Sequence, residues 1–137
     1  SRAKSGAGAI GLMQLMPATA KWIAKKSGVR NYRKKLVSQV GTNLMLGTYY
    51  LEYVLTLFNN KSLLASAAYN AGPSRAKKWQ GEELLEGAIY AETIPFKETR
   101  NYVKKVMSNS MYYASIFGHK ARTLKDRLSI IEPRSNK

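Results

Sequence analysis

The chain has 137 residues, 45% hydrophobic and 23% charged, which fits one globular domain with a real core and excludes a wholly disordered chain. Cysteine is absent, which removes disulfides, thiolate metal sites and thiol nucleophiles. The formal charge is +15, with nine basic residues and no acid ahead of Glu52; this attracts polyanions without choosing among nucleic acid, an anionic polysaccharide, an acidic membrane surface or a merely solvated basic face.

Helical signals dominate, and β-branched residues are scattered without alternating runs. Gly6 to Gly11 is a small-residue loop, followed by a short apolar turn at Leu12 to Met16. Pro17 suits the first turn of a helix, where its missing N–H has no partner to lose. That helix runs through Ser27, and Gly28 ends it. A second helix is expected from about Ser38 to Phe58. Val40, Leu44, Gly47, Leu51, Val54 and Phe58 would make its apolar face, and Asn59-Asn60 would break it. Leu63 to Tyr69 reads as a short helix stopped by Asn70-Ala71-Gly72-Pro73. Ser74 to Trp79 reads as a basic helical turn. Gly81 to Thr93 is less regular, with one helix through Leu84 to Tyr90. Pro95 again suits a first helical position, and Val103, Val106, Met107, Tyr113 and Phe117 build a long amphipathic helix to Gly118. Residues 119–137 read as an irregular basic tail that wraps the body or frays. The expected fold is all-α, with residues 1–118 as one domain. No apolar run reaches the ~20 residues of a membrane span. The opening residues do not read as a secretory signal, and Ser1 reads as a processed or trimmed end.

The lone His119 sits in a Gly-His-Lys-Ala turn and reads as inert, because a zinc site or a Ser-His-Asp triad would lack partners. The Gly-rich stretch lacks the Lys-Ser/Thr of a phosphate-binding loop. Acid–base work would therefore fall to carboxylates. Glu52 reads as solvent-facing, Glu82, Glu83 and Glu86 as a solubilising cluster, and Glu98 as a partner of a helix dipole. Asp126 and Glu132 lie in the tail. Glu92, between Tyr90 and Ile94-Pro95, stands in apolar company and needs a polar partner there. Two further segments combine polar atoms with apolar neighbours. Gly-Leu-Met-Gln-Leu-Met-Pro (11–17) carries the amide of Gln14. Ala-Ala-Tyr-Asn-Ala-Gly-Pro (67–73) carries the Tyr69 hydroxyl and the Asn70 amide beside a forced turn. Such a pairing suits sugars, and it equally fits a core turn and an ordinary Asn-Gly helix stop.

Taken in order, Ser5 to Pro17, Asn43 to Leu51, Ala67 to Pro73 and Ile94 to Val103 resemble the catalytic domain of the soluble lytic transglycosylases. The resemblance covers roughly residues 4–118. It implies a lysozyme-like helical fold, closest to the goose type, and a cleft for alternating N-acetylglucosamine and N-acetylmuramic acid. It places Ser5, Gln14 and Met16 along the cleft near the cut, Tyr69 and Asn70 against the sugar, and Glu92 on polar groups of sugar or peptide. Glu98 and Arg100 would brace the fold. It implies no metal and no cofactor, peptidoglycan strands as the partner rather than nucleic acid, peripheral contact with an anionic envelope surface, a monomer, and a periplasmic place in the bacterial envelope.

One departure matters. The family's acid is a Glu followed by Ser, a little under twenty residues before the Gly-Leu-Met-Gln segment, and that position falls before Ser1. No carboxylate of the chain matches it, so residues 1–137 are expected to bind glycan without turning it over. The alternative classes are a non-catalytic peptidoglycan-binding module and a basic nucleic-acid-binding helical module.

Overall fold

The structure is a computed structural model that describes residues 3–118 and 123–134. His119 lies outside the described residues. The helices are α1 (Pro17–Lys26), α2 (Val40–Leu57), α3 (Ser62–Ala71), α4 (Pro73–Trp79), α5 (Gly87–Thr93), α6 (Lys97–Ile116) and α7 (Leu124–Leu128). The sheet is small: β1 (Leu85–Glu86) pairs antiparallel with β2 (Ile130–Ile131), placing Leu85 opposite Ile131. The chain divides into two compact units, Ser1–Tyr53 and Val54–Lys137, with the boundary inside α2.

In the N-terminal unit, Pro17 opens α1 and Gly28, at φ +73°, follows its end. A 3-10 turn at Lys34–Ser38 leads into α2, where the sequence pattern alone gave no element. The buried side chains are Leu15, Ala20, Ile23, Ala24, Val37, Leu46 and Tyr50, with Asn43 equally enclosed. The buried stripe of α2 is therefore 43, 46, 47, 50 and, further on, 54, with Phe58 buried just past its end. The expected stripe was wrong at Val40, Leu44 and Leu51, which are exposed, and right at Gly47, Val54 and Phe58, which are buried. Apolar residues surround this helix, so periodicity could not fix its phase; a buried amide at position 43 did.

In the C-terminal unit, α3 is covered almost all round: Leu63, Leu64, Ala65, Ala67 and Ala68 are buried. It packs against α4 and α6, and its small side chains allow that close approach. The helix runs two residues beyond Tyr69, so Asn70 lies inside it, and Gly72 at φ +94° makes the turn to Pro73. The helix α6 starts at Lys97, after Pro95 rather than on it. Its buried face carries Thr99, Val103, Met107 and Ala114. Tyr113 and Phe117, expected on that face, are exposed and stack on each other at 6.3 Å between ring centroids.

The tail is more ordered than its composition suggested. Thr123 and Asp126 form a reciprocal capping box that starts α7, and α7 packs against α3, α5 and α6. The pairing of β2 with β1 also moves the helix expected from Leu84. Leu85 and Glu86 go to the sheet, and α5 starts at Gly87. The Gly87 N–H donates to the Ser129 carbonyl at 2.8 Å, and a Cβ on Gly87 would lie 2.2 Å from the Leu128 carbonyl oxygen. The tail is further held where Lys61 Nζ donates to the Ile130 carbonyl at 3.0 Å and the Arg134 N–H donates to the Gly81 carbonyl at 2.9 Å.

Candidate functional site

The N-terminal unit builds its candidate residues on irregular backbone. The loop of residues 3–15 folds back on itself: the Gly11 N–H donates to the Ala3 carbonyl at 2.8 Å, and Ile10 and Leu15 exchange backbone hydrogen bonds at 2.9 and 3.0 Å. Ser5 is half-buried, and its Oγ accepts the Ala9 N–H at 3.0 Å. Gln14 is exposed, at a left-handed φ of +47°, and its Nε2 donates to the Gly11 carbonyl at 2.7 Å. One end of that amide is thus tied to its own loop and Oε1 is directed elsewhere. Met16, 44% exposed, is the residue before the first turn of α1.

A buried amide holds this loop. Asn43 Oδ1 accepts the Met13 N–H at 2.8 Å, and Nδ2 donates to the Ile10 carbonyl at 2.9 Å and the Val37 carbonyl at 3.0 Å. The amide thus ties together three backbone groups from three stretches of chain, adding a second bond to the Ile10 carbonyl that already accepts the Leu15 N–H. Two glycines make room for the arrangement. A Cβ on Gly11 would stand 2.4 Å from the Asn43 side chain, and one on Gly47 would stand 2.4 Å from Met13. Sequence reasoning included Asn43 in a family motif but gave it no role. The signal was there: an asparagine one turn into an otherwise apolar helix, where a short amide is unfavourable unless it is bonded. Beside this loop's helix, Trp22, Tyr50 and Tyr53 cluster, with Lys26 Nζ 4.3 Å from the Tyr53 ring centroid. Burial, with Tyr53 adding to it, pushes the Tyr50 hydroxyl up to about 12.

The C-terminal unit places its candidates on helices. Tyr69 is half-buried and Asn70 exposed, both in the last turn of α3. Thr99, buried in the first turn of α6, donates from Oγ1 to Asn70 Oδ1 at 2.7 Å. Thr99 was not singled out by sequence reasoning, since a threonine in a helix's first turn is unremarkable by pattern. Glu92 does not lie in apolar surroundings as expected. It is exposed and ion-paired with Lys104, one side of the pair on α5 and the other on α6. Arg100 donates from Nη1 to the Glu92 backbone carbonyl at 3.1 Å, and Glu98 lies exposed in the first turn of α6. Near the turns, the Arg75 guanidinium lies 5.1 Å from the Phe96 ring centroid, and Trp79 meets Phe96 edge-on at 5.3 Å. Burial raises the hydroxyls of Tyr90 and Tyr102, the former donating to the Ala76 carbonyl at 3.4 Å. No helix among the described residues is long and apolar enough to cross a membrane.

Comparison with known proteins adds independent information. The family model of the transglycosylase SLT domain matches residues 1–88, and that of the soluble lytic transglycosylase helical domain matches residues 93–121. The chain is 41% identical over 128 residues to the soluble lytic murein transglycosylase of Salmonella typhimurium, covering 91% of this chain and 20% of the relative. It superposes on an inactive mutant of the lytic transglycosylase Slt from Pseudomonas aeruginosa with a TM-score of 0.77, at 43% identity, over 86% of this chain and 19% of that one. It also superposes on a complex of the 70-kDa soluble lytic transglycosylase with bulgecin A, with a TM-score of 0.78 at 36% identity, over 89% of this chain and 21% of that one. The chain spans about a fifth of the length of the curated relatives it matches.

Proposed function

Because the chain belongs to the transglycosylase SLT domain family, we propose that it is the glycan-binding part of a lytic transglycosylase acting on peptidoglycan in the bacterial envelope, in the periplasm. What carries this reading is the match of sequence and fold together: 43% identity at a TM-score of 0.77 to a lytic transglycosylase, over 86% of the chain. The residues proposed to meet substrate are Ser5, Gln14 and Met16 in the N-terminal unit and Tyr69, Asn70 and Glu92 in the C-terminal one. Gln14 and Asn70 each have one end of the amide tied to protein. Each therefore offers a fixed polar group in place of a freely turning one, which lowers the ordering cost of binding a sugar.

The proposed reaction cuts the bond between N-acetylmuramic acid and N-acetylglucosamine without consuming water. A protonated Glu gives its proton to the leaving glycosidic oxygen as the bond to C1 breaks. The muramyl N-acetyl oxygen stabilises C1, taking the place of the second carboxylate of retaining glycosidases. The same Glu, now a base, takes the proton of the C6 hydroxyl as that oxygen bonds to C1, giving a 1,6-anhydro end. Such an acid needs apolar enclosure to hold its proton near neutrality. Glu92, exposed and paired with Lys104, stands in a solvated ion pair instead and is assigned to binding. The acid role is assigned to the Glu-Ser pair that the family places before the position of Ser1.

The test is digestion of purified cell-wall sacculi with mass spectrometry of the products. Residues 1–137 alone should give no anhydromuropeptides. Joined to an upstream segment bearing Glu-Ser they should, and the same segment with Gln at that Glu should not. Anhydro product from residues 1–137 alone would move the acid role onto a carboxylate of this chain. Retention on DNA at physiological salt, with none on sacculi, would replace the glycan reading by a nucleic-acid one.

A further inference from the structure

The N-terminal unit gathers its charge in one stretch. Helix α1 carries Lys21, Lys25 and Lys26, and the segment after it carries Arg30, Arg33, Lys34 and Lys35. No acid stands among them; the first in the chain is Glu52. All seven cations are exposed. The 3-10 turn at Lys34–Ser38 packs against α1, so the two ends of the stretch belong to one packed region. The ion pairs among the described residues engage Lys61, Lys104 and Arg134 and none of these seven. Like charges this close repel one another, and an anion among them relieves that repulsion.

The surroundings narrow the choice of anion. The outward side of α1 offers one large apolar side chain, Trp22, and its ring is already engaged. It meets Tyr53 edge-on at 4.9 Å, and Lys26 Nζ lies 5.1 Å from its centroid. A helix that beds into a bilayer surface needs an apolar face to bury, and an aromatic that stacks on bases needs a free ring face. Helix α1 has neither. Five of the seven cations are lysines, point charges on flexible stems, which suit mobile carboxylates better than a fixed planar group. Helix α1 also starts directly after Met16, a residue proposed to meet substrate, so its lysines lie about 8 to 15 Å further along the helix axis. A peptidoglycan strand held at Met16 carries peptide stems on its muramyl residues, and those stems bear carboxylates.

We propose that the basic surface of α1 and residues 30–35 binds the acidic peptide stems of peptidoglycan and so retains the protein on the wall network. The proposal rests on the reading of the chain as part of a wall-acting protein. Each contact is weak, since an exposed ion pair gains little. Stems repeat along every strand, so several contacts form together and each raises the effective concentration of the next. Lysines that trade one carboxylate for another hold the protein to the wall without fixing where on it the protein stands.

The experiment measures co-sedimentation of the 137-residue chain with purified sacculi, native and with their carboxyl groups converted to neutral amides. The parent should bind amidated sacculi about tenfold or more weakly, and added salt should weaken native binding toward the same level. Lys21→Gln, Lys25→Gln, Lys34→Gln and Lys35→Gln together should cost about tenfold or more on native sacculi, from about 1.4-fold to fivefold per exposed charge, and this variant should respond little to amidation. Lys77→Gln, Lys78→Gln, Lys105→Gln and Lys125→Gln together remove as much charge from exposed positions of the C-terminal unit and should cost no more than about twofold. Equal losses in the two variants would mean that net charge alone acts and would overturn the proposal. So would parent binding that amidation leaves unchanged, an outcome in which the wall reading stands without this surface. Tighter binding to phosphatidylglycerol–phosphatidylcholine vesicles or to duplex DNA than to sacculi, lost in the first variant, would assign the surface to that partner and overturn it too. If the parent binds neither kind of sacculi, the wall reading itself fails and takes the proposal with it. The amidation comparison uses the parent alone, and so decides the matter if a substituted chain fails to fold.

Discussion

The two units hold their candidate residues by different means. In the N-terminal unit, Ser5 and Gln14 ride on a loop outside any helix, and one buried side chain, Asn43, bonds two of its backbone groups and ties them to Val37. In the C-terminal unit, Tyr69 and Asn70 ride on α3, whose helical ladder satisfies the backbone, and Thr99 adjusts only an amide. The lesson is one of concentration. A loop-borne site places its order in a few contacts, while a helix-borne site spreads it over a packed element. Substitutions should therefore be far more damaging in the first unit than at the matching depth of the second.

The sharpest test of that contrast is Asn43→Ala. It removes a buried group, takes one hydrogen bond each from the Met13 N–H and the Ile10 and Val37 carbonyls, and opens a cavity. The expected loss is about 3 kcal/mol or more in urea unfolding, with accelerated hydrogen exchange across residues 3–15. Thr99→Val, which leaves one hydrogen-bond partner unmet at an exposed amide, should cost about 1 kcal/mol. Equal losses at the two positions would end the comparison.

Gly11→Ala comes next. The residue sits at φ +78°, where a side chain is strained, and its Cβ would fall 2.4 Å from Asn43. Backbone strain and overpacking together predict a loss of about 2 kcal/mol. Its effect should be smaller in an Asn43→Ala background, because the clash partner is gone. Additive losses would show that the glycine is needed for its torsion alone.

These contacts also mark how far the sequence could be read. Helix ends were legible wherever a residue has one strong backbone preference: Pro17, Gly28, the left-handed Asn59-Asn60 pair and Gly72 all stand at element boundaries in the structure. The all-α class and the family were legible for the same reason, since short motifs in fixed order need no packing information. The phase of α2 was not, because Leu44, Met45 and Leu46 are apolar in succession and only tertiary contacts decide which is buried. The strand at Leu85–Glu86 was not, because its partner, Ile130–Ile131, lies far along the chain in a segment that looks like a solvated tail. In the candidate site, the exposed amides could be named from their neighbours. Asn43 could be suspected as an amide in an apolar helix, but its partners could not, and neither could Thr99, since each acts through a contact distant in sequence.

A gentler probe is pH. The Tyr50 hydroxyl is held from its ordinary 10.0 to about 12, chiefly by burial. Below pH 10 both folded and unfolded chains keep the proton, so that stabilisation is fully present. Between 10 and 12 the unfolded chain loses the proton first, the folded chain binds more protons, and stability falls as pH rises. The unfolding midpoint should decline through this window, and Tyr50→Phe should flatten the decline. Tyr32 in the same unit and Tyr90 and Tyr102 in the C-terminal unit are raised in the same direction by burial, so a remaining slope in Tyr50→Phe measures the share of these three. A slope unchanged by the substitution would show that Tyr50 contributes none of it.

The smallest expected effect belongs to the Glu92–Lys104 pair, and its smallness is what makes it useful. Both side chains are largely in water, at 63% and 46% exposure, where solvent and salt screen the attraction and ordering two long side chains offsets much of the rest. Lys104→Met should therefore change stability by about 0–1 kcal/mol, and less still at high salt. Glu92→Gln should do the same, since the backbone carbonyl of Glu92, which accepts from Arg100, survives the substitution. Stability and binding then separate cleanly. If Glu92 meets polar groups of the substrate, Glu92→Gln weakens glycan binding while the unfolding midpoint stays in place, and Lys104→Met, which leaves the carboxylate free, does not weaken it. If instead Glu92→Gln lowers the midpoint by an amount matching its loss of binding, the carboxylate belongs to the scaffold that joins α5 to α6, and the C-terminal unit too depends on a single contact.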